Sequence, residues 1–204
     1  MELVLATRNR KKIEEIARIT GGLKIKILTL DDFPECPEVV EDGTTFEENA
    51  VKKAVSVSTC TGRPALADDS GLEVSALHGA PGTLSARYAG EPADDRKNIE
   101  KLLREMSAVD KREARFVCCI VLAFPGKTVH IFNGFTDGYI GKEQKGANGF
   151  GYDPVFYPLG SIRTFAEMNA GEKDAVSHRG RALDAFKRFI AQWLDGPATG
   201  AEEV

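Results

Sequence analysis

The sequence predicts an α/β fold, and three observations carry that prediction. The chain opens with an apolar run, an amphipathic helical period and a second alternating run, which is a β-α-β start. A helix with its own capping signal leads into another apolar run at residues 65–74. Two long strand-like segments between residues 114 and 141 meet across Pro125-Gly126.

Taken in order, ELVLA at residues 2–6 reads as a buried strand. NRKKIEEIARIT follows as a helix with Asn9 as its N-cap and Ile13, Ile16, Ala17 and Ile19 near helical spacing; Gly21-Gly22 ends it. LKIKIL at 23–28 alternates like a half-buried strand, and residues 29–43, with Pro34, Pro37 and several acids, form a loop. The second helix opens on a capping box, either Thr44 with Glu47 or Thr45 with Glu48, and buries Phe46, Ala50, Ala54 and Val57 before Gly62 and Pro64 close it. ALADDSGLEV at 65–74 begins as a strand, with Asp68-Asp69 at its end or in a turn. Residues 78–90 read as a loop with tight turns, and 94–106 as an amphipathic helix. ARFVCCIVLAF and TVHIFNGFTDGYIG pair as strands, and the Gly-rich stretch 145–158 follows. Thr164 and Glu167 form another capping box. A last helix over 178–194 turns Leu183, Phe186, Phe189, Ile190 and Trp193 to the core. Residues 1–194 read as one domain and 195–204 as a disordered tail.

The 204 residues, 42% hydrophobic and 28% charged, suit a soluble globular protein with a sizeable core. No apolar run approaches the ~20 residues of a membrane span, and MELVLATRNRKK lacks the order of a signal peptide, so a cytoplasmic location is expected. Cys36, Cys60, Cys118 and Cys119 show no metal-ligand spacing and are expected to be reduced, mostly buried thiols, with the adjacent pair on opposite strand faces. A net charge of −4 argues against a nucleic-acid binder but allows a small polyanion at a local basic cluster.

Five constellations carry possible chemistry. In ATRNRKK, a helix start with Thr7, Asn9 and Lys12 beside Arg8, Arg10 and Lys11 suits phosphate, and equally suits a capped, solvated turn. Glu41 precedes the second helix, in which Asn49 and Lys53 share a face. Asp68-Asp69-Ser70 offers carboxylates for a hard cation such as Mg²⁺ and for taking a proton from water, or it is a turn. In GFGYDP, Phe150 suits stacking on a base and Asp153 accepting from a ring N–H, or the stretch is a turn with one core phenylalanine. In EKDAVSHRG, Lys173, Ser177, His178 and Arg179 are donors suited to base carbonyls, or a capped basic turn. Together they form the parts of an enzyme acting on nucleotide phosphates.

The ordered set LATRNRKK, EDGTTFEENAVKKA, ALADDSGLEV, GAPGTLSARYAG, GFGYDPVF, TFAEM and EKDAVSHRGRAL resembles the inosine triphosphate pyrophosphatase family, from about Leu3 to Leu194. The resemblance implies an elongated, two-lobed α/β structure with a central mixed sheet flanked by helices and the active site in the cleft between lobes. It implies Mg²⁺, a homodimer, and hydrolysis of ITP, dITP and XTP between the α and β phosphates. By position, Asp69 is then the proton acceptor; Glu41 and Asp69 hold Mg²⁺ with Asp68 close by, the ion and the lysines relieving the repulsion between neighbouring carboxylates. Thr7, Asn9, Lys12 and Lys53 hold the triphosphate, with Ser70 at the sugar-phosphate end. Phe150, Gly151, Tyr152, Asp153, Lys173, His178 and Arg179 bind the nucleoside. Leu84 stands where the family commonly has tyrosine, and Asp174 where it commonly has asparagine. Two other readings stay open: a pyrophosphatase for other modified nucleotides, and a non-catalytic nucleotide-sensing module, which gives no reason for a second acid beside Asp69.

Overall fold

The computed structural model describes residues 1–126 and 128–195. The elements are β1 (Glu2–Leu5), α1 (Arg10–Ile19), β2 (Lys26–Leu28), α2 (Phe46–Thr61), β3 (Ala65–Val74), α3 (Asp95–Glu105), β4 (Glu113–Ala123), β5 (Val129–Ile140), β6 (Phe156–Pro158), α4 (Ala170–Val176) and α5 (His178–Asp195). They build one mixed six-stranded sheet in the order β2-β1-β3-β4-β5-β6. β1 pairs parallel with β2 and β3; from β3 onward the pairing is antiparallel. This is the α/β fold with a mixed sheet flanked by helices. No helix among the described residues is long and apolar enough to cross a membrane.

Strand alternation sorts the core. Ala65 and Ala67 of β3 and Val117, Cys119 and Val121 of β4 pack with Phe46, Ala50, Ala54 and Val57 of α2. The intervening Leu66, Cys118, Ile120 and Leu122 face the other way, onto Ile16 of α1 and Leu183, Phe186 and Ile190 of α5. A third cluster joins Ile99, Leu102 and Met106 beneath α3 to Phe116, Phe156 and Phe165. Of the two possible capping boxes on α2, Thr45 with Glu48 forms, and Gly62 ends the helix in the left-handed conformation. Gly134 on β5 lets α5 pack directly on the sheet: a Cβ there would stand 2.0 Å from the carbonyl oxygen of His178.

Several expectations need correction. β3 does not end or turn at the aspartates; it runs ten residues, with Asp68 opposite Ile120 and Asp69 opposite Cys119. The second strand covers only Lys26–Leu28. The stretch before α5 holds a separate short helix, α4, capped by Asn169 and Glu172, whose helical signal is diluted by its length of seven residues. Trp193 is 47% exposed. It lies against Phe124, beyond the end of β4, so sheet no longer covers it. The cysteines are not all reduced: Cys36 and Cys60 form a disulfide. Packing of the 33–45 loop on α2 brings their Cα atoms to 5.9 Å, a proximity that spacing along the chain does not reveal. Cys118 and Cys119 are free and buried on opposite faces as expected. The helix reaches Asp195, the first residue assigned to the tail; the rest of that tail expectation, 196–204, lies outside the described residues.

Candidate active site

A cavity of about 700 Å³ opens beyond the end of β1 and against the middle of β3. Its walls bring together Thr7, Asn9, Lys12, Glu41, Lys53, Asp69, Ser70, Phe150, Gly151, Tyr152, Asp153, Lys173, His178 and Arg179. Of the residues that the family resemblance assigns to the site, only Asp68 is missing, fully buried behind the wall; Arg10, Lys11, Asn49 and Ser177 of the five constellations do not line the cavity either.

The two aspartates are separated by the strand itself. Asp69 is in phase with Ala65 and Ala67 and points to the α2 side; Asp68 is in phase with Leu66 and points to the α1 and α5 side. Asp68 has its own cations. Its Oδ2 accepts from Arg179 Nε (3.0 Å) and from the Cys118 thiol (3.2 Å), and Lys12 pairs with Oδ1. Burial would raise its pKa, but Arg179, Lys12 and Lys53 outweigh burial and hold the carboxyl well below its usual range.

On the other face, Asp69 Oδ1 lies 3.3 Å from Lys53 Nζ and its Oδ2 accepts from Asn49 Nδ2 at 3.2 Å. Lys53 Nζ also donates to the Asp68 carbonyl (2.7 Å) and pairs with Glu41 (3.2 Å). Asp69 is pushed up to about 6, by burial first and then by Glu41 and Asp68, against the pull of Lys53 and Lys12. Lys53 is itself raised, because Asp69, Glu41 and Asp68 overcome its burial. An ionisable carboxyl near neutrality at a cavity wall suits proton transfer.

At the first helix, Asn9 caps α1 by accepting from the N–H groups of Lys11 and Lys12 at 3.1 and 3.3 Å, and Thr7 Oγ1 accepts from Asn9 N–H. Thr7, Asn9 and Lys12 thus sit on a shaped turn at the mouth of β1 and line the same cavity as Lys53. Positive charge at a helix start favours phosphate.

The opposite end is built by α4, α5 and the 149–153 turn. Phe150 has the Lys173 ammonium 4.9 Å and the Arg179 guanidinium 5.6 Å from its ring centroid. Asp153 accepts from Phe150 N–H (2.9 Å) and Lys173 (2.6 Å), while burial keeps its pKa raised despite that lysine. Gly151 N–H donates to Asp95 of α3, and the Tyr152 hydroxyl donates to the Ser85 carbonyl, so these two residues fix the turn. His178 stacks on Phe116 with ring centroids 4.5 Å apart. Burial, then Arg179 and Lys173, push its pKa well down, so the imidazole is neutral, and its Nδ1 has no protein partner. Arg179 is more engaged than its expected role as a base ligand suggests. Its Nε serves Asp68, one terminal nitrogen Glu15 (2.5 Å) and the other Ser70 (2.8 Å).

Glu15 is the residue that sequence reasoning missed. It is buried on α1 and bridges Lys173 (2.8 Å) to Arg179, so an alternating chain of charges runs Asp153, Lys173, Glu15, Arg179, Asp68, Lys12. Arg179 and Lys173 hold the Glu15 carboxyl below its usual value in spite of its burial. The signal was present: Lys12, Glu15, Ile16 and Ile19 repeat at i, i+3, i+4 and i+7, which puts Glu15 on the buried face. Asp174, the departure from the family pattern, takes a two-pronged pair from Arg18 at 2.6 and 2.9 Å and so fastens α4 to α1 beside Lys173.

A family model described as the Ham1 family matches residues 3–189. The chain belongs to the Ham1 family. Among Ham1 relatives, the dITP/XTP pyrophosphatase of Syntrophobacter fumaroxidans is 52% identical over 192 residues, covering 94% of this chain and 83% of that protein. The dITP/XTP pyrophosphatase of Bacillus cereus is 46% identical over 199 residues, covering 96% and 97%. The structure of a HAM1 protein from Coxiella burnetii superposes with a TM-score of 0.87 at 42% identity, covering 94% of this chain and 99% of that one. A Ham1 sheet therefore carries this cavity, with the ionisable Asp69 at one end and the Phe150 turn at the other.

Proposed function

We propose that this protein hydrolyses deaminated purine nucleoside triphosphates, ITP, dITP and XTP, to the monophosphate and pyrophosphate, and so cleanses the nucleotide pool. The observation that carries the reading is the place of Asp69: its carboxyl, held by Lys53 and Asn49, stands on the wall of one cavity that also presents Lys12 and the Phe150 turn. The relatives named dITP/XTP pyrophosphatase support the choice of substrate.

In this reading the triphosphate lies along Thr7, Asn9, Lys12 and Lys53. Asp69 takes the proton of a water attacking phosphorus, and Lys12 and Lys53 face the charge that grows on the leaving pyrophosphate. Ser70, positioned by Arg179, meets the sugar-phosphate end. Glu41 and Asp69 both pair with the Lys53 ammonium, and carboxylate oxygens are the donors that a hard divalent cation takes. Among the described residues no group of three or more His, Cys, Asp or Glu is gathered for a metal. An ion such as Mg²⁺ is held by one or two carboxylates and completed by phosphate oxygens and water. Glu41 and Asp69 would hold it, and when bound it neutralises phosphate charge and makes water more acidic. Asp68, whose oxygens already face Lys12, Arg179 and Cys118, acts through those groups.

The base stacks on Phe150, with Asp153 and Lys173 at the ring edge. The neutral His178, on the cavity wall, presents a ring N–H to a 6-oxo oxygen, and a 6-amino group there leaves polar atoms unpaired. A homodimer acting on free nucleotides completes the proposal; the exposed β5 stripe Ile131, Phe135 and Tyr139 supports the dimer, and the net charge of −4 supports free nucleotides over nucleic acid.

The test is a substrate panel with and without Mg²⁺, read as kcat/KM for pyrophosphate release. ITP and XTP should exceed ATP by at least ~100-fold, the scale of a buried hydrogen-bond mismatch. Equal rates on ITP and ATP, or binding without turnover, would overturn the reading and favour another nucleotide class or a sensing module.

A further inference from the structure

Asn49 lies in the first turns of α2, 2% exposed, among Phe46, Ala50, Ala54 and Val57. Asparagine is a poor helix former and a costly group to bury, so its two hydrogen bonds matter. Its Oδ1 accepts from Gly43 N–H at 2.8 Å, and its Nδ2 donates to Asp69 Oδ2 at 3.2 Å. Only this orientation of the amide works, since the reverse would set a nitrogen against an N–H and an oxygen against a carboxylate. Lys53, one turn further along α2, takes the other oxygen of Asp69 at 3.3 Å. Both oxygens of Asp69 are therefore fixed from a single helix, by a cation on one side and a neutral amide on the other.

Gly43 adds a second observation. It sits two residues after Glu41, and a Cβ built on it would stand 2.7 Å from Asn49 Oδ1 and 2.9 Å from Glu48 Cβ. The close approach of the acidic loop to Asn49 needs a glycine there. The amide thus ties the end of the 33–45 loop to the carboxylate on β3.

We propose that Asn49 is a positioning residue: it sets the orientation of the Asp69 carboxylate and makes that orientation depend on the seating of the loop that carries Glu41. This deepens the proposed function and rests on Asp69 being the proton acceptor. Asn49 does not line the cavity, so its effect passes through Asp69 and not through contact with substrate.

The experiment is steady-state kinetics with ITP in Mg²⁺ on Asn49→Asp, Asn49→Leu and Gly43→Ala, with thermal melting as the check on folding. Asn49→Asp keeps the oxygen that Gly43 needs and deletes the donor that Asp69 needs. It should lower kcat by roughly 10- to 100-fold, the cost of a misplaced catalytic group, with KM within about threefold. Gly43→Ala, which displaces the amide from outside the site, should lower kcat in the same sense. Combining Asn49→Leu with Asp69→Asn should cost little beyond Asp69→Asn alone, because both act on one group. Full turnover in Asn49→Asp, a loss confined to KM, or a full additive loss in the double variant would overturn the role of Asn49. If Asn49→Leu fails to fold, Asn49→Asp and Gly43→Ala still decide. An Asp69→Asn enzyme with normal turnover would instead overturn the reading of Asp69, whatever the Asn49 variants do.

Discussion

Replacing Asp69 with asparagine is expected to slow ITP hydrolysis at least ~100-fold, the usual scale for losing a general base, while nucleotide binding survives. The same change should stabilise the folded protein at alkaline pH. The carboxyl is raised from its ordinary 3.8 to about 6 by burial and by Glu41 and Asp68. A carboxyl raised on folding favours the folded state below its unfolded pKa, and that advantage is lost as pH rises through the folded one. At pH 8 the wild type therefore holds a disfavoured charge, and two pKa units correspond to about 3 kcal/mol. That value already contains the pull of Lys53 and Lys12. A net gain of about 3 kcal/mol for Asp69→Asn at pH 8 follows, or roughly 8 °C in Tm, fading to nothing below about pH 4. Melting curves at pH 4 and pH 8 check it. A variant that is slower but no more stable at pH 8 would contradict the strained carboxyl, and a variant of normal speed would contradict the base.

Arg179→Met should have the largest effect on stability. The guanidinium is 2% exposed and joins Asp68, Glu15 and Ser70, three residues from β3 and α1. Methionine fills much of the same space but leaves two buried carboxylates short of a cation. Asp68 keeps Lys12 and Glu15 keeps Lys173. Breaking a buried ion pair from one side costs about 3–5 kcal/mol, so Tm should fall by roughly 10 °C at neutral pH. The deficit should persist down to about pH 4 and shrink below it. There Asp68, whose folded pKa is depressed, starts to lose the stability that its ionised form contributes. Thermal melts across pH decide this, and a Tm within 2 °C of wild type would show that the charge chain contributes little. Because Arg179 holds Ser70 as well, any change in substrate preference in this variant must be weighed against its loss of stability.

Much of this arrangement was legible in the sequence because local chemistry fixed it. Asn9 at the start of α1 and Thr45 with Glu48 at the start of α2 are caps whose residues carry their own geometry. Ala65-Leu66-Ala67 and Val117-Cys118-Cys119 alternate, so their two faces could be assigned before any strand was paired. Carrying that alternation one step further would have separated Asp68 from Asp69. A turn reading of Asp-Asp-Ser-Gly competed with it, and only the pairing with β4 shows that the strand continues. The bridge from Glu15 to Lys173 and Arg179 spans more than 150 residues of chain, and the Cys36–Cys60 bond depends on how a loop seats on a helix. Neither is encoded in spacing. They follow from tertiary packing, which also decides that Arg179 is a buried node and that Trp193 stays outside the sheet.

The central claim is that water, activated at Asp69, cleaves the triphosphate between its α and β phosphorus atoms. Phosphorus NMR of the products formed from ITP in Mg²⁺ tests it most directly. The account predicts IMP and pyrophosphate, with no orthophosphate formed at early times. Orthophosphate and IDP would place the attack at the γ phosphorus and contradict the assignment of Asp69 to the α–β bond.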